Sequence, residues 1–134
     1  MPASSDETYL ESDHELSVTA HMLPGGGRRT HVHLAGEMDM AAATVLSGTI
    51  DWLTRLAPVS VLLDLAEVTF ACATLPNFVV RLRQGLPGGA ELVLWRPRPM
   101  TRWVLQVTDM AAIAAIPEES TEHAQEATVR VVAP

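Results

Sequence analysis

Val61-Leu62-Leu63-Asp64-Leu65-Ala66-Glu67-Val68-Thr69-Phe70 runs straight into Ala71-Cys72-Ala73-Thr74-Leu75-Pro76-Asn77. From Val59 to Leu65 the chain is almost continuously apolar, broken by Ser60 and Asp64. Such a run suits a central strand covered on both faces. Proline is accepted in the first turn of a helix and not in its interior, so Pro76 places a helix start near Thr74. That helix is expected to reach about Gln84, with Phe78, Val79, Leu82 and Leu86 on its buried side and Arg81 and Arg83 more exposed. Gly85 and Pro87-Gly88-Gly89 end it. A buried strand, a tight turn and a helix start are therefore the unit around which the rest is arranged.

Working outward, residues 1–14 are polar and acidic and read as a mobile N-terminal tail. Leu16, Val18, Ala20 and Met22 alternate with Ser17, Thr19 and His21, the period of a strand with one buried face. Pro24-Gly25-Gly26-Gly27 is a turn signal, and Val32 and Leu34 alternate with His31 and His33 beyond it, so the two strands form a hairpin. Gly36 is expected to end the second strand. Asp39 is a good N-cap for a helix from about Met40 to Leu56, where Val45, Leu46, Ile50, Leu53 and Leu56 keep helical spacing. Beyond the second helix, Glu91–Trp95 reads as a strand and Met100–Thr108 as a short helix with Val104, Leu105 and Val107 inward. Residues 120–127 could form a short helix capped by Ser120 or Thr121, and 128–134 read as a C-terminal extension or edge strand. The domain proper is residues 15–127. The order β-β-α-β-α-β-α gives an α/β fold, a mixed sheet of about four to five strands covered by helices, with right-handed crossovers between parallel neighbours.

A chain of 134 residues is one domain on length and can bury a core without a staple. Cys72, the single cysteine, cannot close an internal disulfide, which points to a reducing, cytoplasmic setting. No signal peptide is expected, and no apolar run is long enough for a membrane span. All nine basic residues are arginine and the net charge is -7. An acidic chain with no basic stripe is not a nucleic-acid binder, because phosphate contacts need clustered cations.

Four segments together resemble the STAS domain of bacterial anti-sigma factor antagonists. Leu34-Ala35-Gly36-Glu37-Met38-Asp39 is similar to the family's Leu-x-Gly-Glu-Leu-Asp, and Asp64–Phe70 to its Asp-Leu-Ser-x-Val-x-Phe. Gly88–Leu94 is similar to its Gly-Gly-x-Leu-x-Leu strand, and Val104–Met110 to its Leu-x-x-Thr-Gly-Leu helix end. The resemblance implies a STAS-like fold and a non-catalytic domain that binds an anti-sigma factor, often a GHKL-type serine kinase. It also implies a turn Asp-Ser-Ser/Thr-Gly whose first Ser is the phosphorylation switch. Here that turn reads Cys72-Ala73-Thr74-Leu75: the acceptor position is Ala73, which has no hydroxyl. Thr74 keeps a hydroxyl one residue on, as a possible phosphoacceptor, but a helix N-cap is its simpler role. By the resemblance, the partner-binding residues are Asp39, Cys72, Ala73, Thr74, Leu75 and Asn77, and the usual phosphoswitch is missing.

Two other readings stand beside this one. The same fold could act as a scaffold that assembles with itself, as a homodimer, or with other STAS proteins. Alternatively, the chain could sense a metal or small molecule through a histidine-lined sheet face. A turn centred near Gly26 sets His21 opposite His31, with His33 two residues along on the same face. Three imidazoles there could hold zinc. The sequence pairs no Cys or carboxylate with them, so a solvated or partner-facing surface is the simpler reading, and no cofactor is expected. Trp95 and Trp103 flank Arg96, Arg98 and Arg102, a composition common at protein contacts. Cys72 reads as a small buried hydrophobe rather than a reactive thiol. No Ser-His-Asp order, phosphate-cradling loop or Cys-x-x-Cys motif is present, so catalysis is not expected.

Overall fold

The computed structural model describes residues 8–12, 15–23 and 28–118. Five strands form one sheet in sequential order: β1 (Thr8–Ser12), β2 (Leu16–Met22), β3 (Arg29–Met38), β4 (Ser60–Ala71) and β5 (Glu91–Trp95). The pairs β1–β2 and β2–β3 are antiparallel, and β3–β4 and β4–β5 are parallel. A 3-10 turn (Met40–Ala42) and helix α1 (Ala43–Leu56) join β3 to β4, and α2 (Thr74–Gly85) joins β4 to β5. Helix α3 (Pro99–Val107) and a second 3-10 turn (Met110–Ala112) follow. The parallel pairs are the ones that need helical crossovers, as the α/β reading expected. Among the described residues, no helix is long and apolar enough to cross a membrane.

The alternation in β2 and β3 sends Leu16, Val18, Ala20, Val32 and Leu34 to one face of the sheet, where all are buried. Val61, Leu63 and Leu65 of β4 and Leu92 and Leu94 of β5 join them. Helices α1 and α2 close this core with Leu46, Leu53, Leu75, Phe78, Val79 and Leu82. Full burial of one such side chain is worth about 1.5–3 kcal/mol, so this face fixes the register of β2 to β5.

Three expectations need correction. The tail is one: Thr8–Ser12 form β1, paired along its length with β2. Five polar-flanked residues carry little periodic signal; the strand is held by the neighbour's free edge and by Tyr9, whose ring lies 5.3 Å from that of buried Trp52. Gly36 does not end β3. It takes φ +120 at an irregularity in the β3–β4 pairing, and the strand runs on to Met38. Val107 is exposed rather than inward, while Leu105 is fully buried and Val104 half-buried. The expected helix over 120–127 and the extension at 128–134 lie outside the described residues.

Candidate functional site

The C-terminal end of β4 delivers the chain to the start of α2. Ala73 is the N-cap, has αR backbone angles and makes no side-chain cap hydrogen bond. Thr74 is thus the first helical residue and not the cap that its hydroxyl suggested; its Oγ accepts from Cys72 Sγ at 3.5 Å. Cys72 is half-buried, not enclosed, and its thiol also approaches the Met38 carbonyl at 3.5 Å. Ala73 and Asn77 are exposed, while Thr74 and Asp39 are half-buried.

Leu75 departs from the expected set. It is 0% exposed, in the core beneath the turn, and cannot touch a partner. Helical geometry explains this: Leu75, Phe78, Val79 and Leu82 share one stripe, so the residue that follows Thr74 must face the sheet. Asp39 caps its 3-10 turn as expected, its Oδ1 accepting from the Ala41 amide at 2.9 Å. Its carboxylate also lies within 4.8 Å of those of Glu15 and Glu37.

Sequence reading missed what stands beside the turn. Phe70, Met100, Trp103 and Val107 are 49%, 69%, 57% and 58% exposed, and with Cys72 and Ala73 they line one groove of about 630 Å³ between the end of β4 and α3. Isolated exposed apolar residues are ordinary, but a contiguous group facing one groove marks a contact surface. Trp103 was singled out by its arginine neighbours. Phe70 entered the sequence reading only as the end of the Asp64–Phe70 segment. The groove's rim carries Arg98, whose Nε donates to the Ala66 carbonyl at 2.8 Å.

The opposite face of the sheet carries a second cluster. His21 pairs with His31 across β2–β3, as expected, with ring centroids 5.6 Å apart. His33 pairs with Asp64 across the parallel β3–β4 ladder. The Asp64 Oδ2 lies 3.7 Å from both His31 Nε2 and His33 Nδ1, and 2.9 Å from an Arg96 nitrogen. Burial alone would raise the Asp64 carboxyl; His31, Arg96 and the Ala66 amide favour the charged form and hold it well below the usual carboxylate range. Burial, and secondarily His31, push the His21 imidazole below its ordinary value. The carboxylate that the sequence did not pair with the histidines is therefore present, supplied by the neighbouring strand.

No protein-family model matches the chain, and no curated protein matches it. Solved structures do. The anti-sigma factor antagonist SpoIIAA in its unphosphorylated form is similar with a TM-score of 0.62 and 17% identity, over 93% of this chain and 96% of that one. An anti-sigma factor antagonist from Mycobacterium paratuberculosis gives 0.64 and 19%, over 97% of each chain. The Bacillus cell fate determinant SpoIIAA in its phosphorylated form gives 0.58 and 18%, over 93% of this chain and 99% of that one. The likeness runs along nearly the whole length, and the chain has the STAS fold of the anti-sigma factor antagonists.

Proposed function

We propose that this chain is a non-catalytic interaction domain that binds an anti-sigma factor at the β4–α2 turn and the adjoining groove, without the usual serine switch. The observation that carries this reading is the exposed Ala73 at the start of α2, flanked by the exposed apolar side chains of Phe70, Met100 and Trp103. A phosphate on a hydroxyl at this point would bring about two negative charges into the contact surface. Ala73 offers no oxygen to carry it. Thr74 Oγ is turned toward Cys72, which favours a local structural role over that of an acceptor. A partner that docks here is then bound constitutively, or is controlled at another place.

The test places the missing charge by mutation. Ala73→Glu puts a carboxylate at a helix N-terminus, where it suits the helix dipole and leaves the fold intact. Wild-type and variant proteins are used to capture partners, and each captured anti-sigma factor is then purified and its affinity measured. The reading expects an anti-sigma factor or serine kinase held by wild type and released by Ala73→Glu and by Trp103→Ala. Self-association of the wild type, abolished by Trp103→Ala and with no anti-sigma factor held, would replace it by the scaffold reading. The groove of exposed apolar residues is the observation that favours that second reading.

A further inference from the structure

We infer that the outer face of the sheet holds a site for a zinc-class divalent ion, with His31 Nε2, His33 Nδ1 and Asp64 Oδ2 as ligands. Three observations converge. First, the two imidazole nitrogens stand at the same 3.7 Å from one carboxylate oxygen. Ligands of a tetrahedral zinc with bonds of about 2.0–2.1 Å are themselves about 3.4 Å apart, so each histidine needs only a small approach to the carboxylate. The two imidazole nitrogens stand more than 4.8 Å from each other, so a side-chain rotation must bring them together around that oxygen, and His33, about one-third exposed, has room to make it. Second, His31 Nε2 is buried and makes no hydrogen bond, only the 3.7 Å approach to Asp64. A buried imidazole nitrogen left unmatched is costly, and an ion would satisfy it. Third, the far nitrogen of His33 faces the Glu67 carboxylate at 3.9 Å. A ligating histidine commonly turns its other nitrogen to a carboxylate, which fixes its tautomer and raises its basicity.

Arg96 is the cation now in place. The Asp64 carboxylate is almost fully buried, and a buried carboxylate needs a cation beside it. Arg96 meets that need through one 2.9 Å hydrogen bond, with its guanidinium carbon 4.2 Å from the centre of the Trp95 ring. Its backbone is in the left-handed region at φ +58, a conformation that non-glycine residues disfavour. The side chain is 44% exposed, so it can withdraw along the Trp95 face and open a route to the carboxylate from solvent. The ion and Arg96 therefore compete for Asp64. His21 lies beside His31 and completes the set of imidazoles facing the site. Imidazole and carboxylate together suit zinc, cobalt and nickel better than magnesium or calcium. Asp64 is also seven residues along β4 from Ala71, roughly 20 Å at strand rise, so this site is separate from the proposed docking turn.

The experiment uses the full, untagged chain stripped of metal by a chelator. Cobalt is titrated in and followed by its visible absorption; zinc is then titrated calorimetrically. One equivalent is expected to bind. His33→Gln should weaken binding at least about tenfold, because loss of a mere outer-shell partner already costs about 10–100-fold. Asp64→Asn should do the same. Arg96→Gln should tighten binding, because it removes the competing cation; a merely structural role for Arg96 would not do this. His33 and Arg96 are exposed enough that their variants keep the fold, which a urea midpoint verifies. Absence of saturable binding overturns the inference. So does binding that His33→Gln and Arg96→Gln leave unchanged, which would put the ion elsewhere on the chain. Neither result bears on the docking turn.

Discussion

Gly36→Ala is the sharpest test of the architecture. Gly36 takes φ +120, which L side chains rarely adopt, and a Cβ built there would lie 2.0 Å from the Glu15 carbonyl oxygen and 3.2 Å from Leu16 Cα. Both neighbours are backbone atoms and cannot swing away as a side chain would. Glu15 O is also the acceptor of the Glu37 amide at 2.9 Å, so any retreat breaks the hydrogen bond that ties the start of β2 to β3. Held backbone strain costs about 1–3 kcal/mol. Forced overpacking adds about 1–3 kcal/mol. The expected loss is about 3–5 kcal/mol, a large share of the stability of a domain this size. In urea, with a slope of about 2 kcal/mol/M, that moves the midpoint down by roughly 2 M. Gly89→Ala is the control: its Cβ would meet nothing within 4 Å and its φ is not in the strained region, so its midpoint should stay or rise slightly. A Gly36→Ala midpoint within about 0.5 M of wild type, at unchanged slope, would refute the assignment of Gly36 to a close backbone crossing.

Three further outcomes are expected. Leu75→Ala, in the core, should cost about 2–5 kcal/mol by denaturant titration, while exposed Ala73→Glu stays within about 0.5 kcal/mol; this separates the turn's structural residue from its presented one. Asp39→Asn keeps a cap acceptor and relieves the crowding with Glu15 and Glu37, so it should be more stable than Asp39→Ala by about 1 kcal/mol in thermal melts. The folded Asp64 carboxyl sits below its ordinary 3.8, so in chelated protein its contribution is full above that value and is lost as pH falls below it. Urea midpoints from pH 6 downward should therefore fall less steeply in Asp64→Asn than in wild type.

The elements that sequence reading found are those whose burial is periodic. Leu16 to Met22 alternates strictly, α1 and α2 carry one apolar stripe each, and Glu91–Trp95 is bounded by Gly89 and Pro97, so each has a one-dimensional signature. Thr8–Ser12 has none, because an edge strand is held by its neighbour's hydrogen bonds rather than by its own pattern. Gly36 was misread for a related reason. A glycine inside a strand pattern can stop the strand or mark a close backbone approach, and only the position of Glu15 decides between them.

The same distinction governs the two sites. The resemblance pointed to the turn because its residues are contiguous in the chain, yet contiguity alone misplaced Leu75, whose helical phase sends it into the core. The groove needs Phe70 and Trp103, thirty-three positions apart in number, to meet across the end of the sheet. The histidine cluster needs more still. His21 opposite His31 follows from hairpin geometry, a local rule, and was legible. His33 opposite Asp64 follows from a parallel pairing closed by a helix, whose register no turn dictates. It is fixed instead by the core face: once Val32 and Leu34 of β3 and Leu63 and Leu65 of β4 must all point at α1 and α2, the residues between them must face the other way. His33 and Asp64 are then neighbours because leucines and valines on the far side of the sheet demand it. The chemistry of the outer face is in this sense a consequence of packing on the inner one. A conservative volume change at Leu63 should thus disturb the Asp64–Arg96 contact without touching either residue.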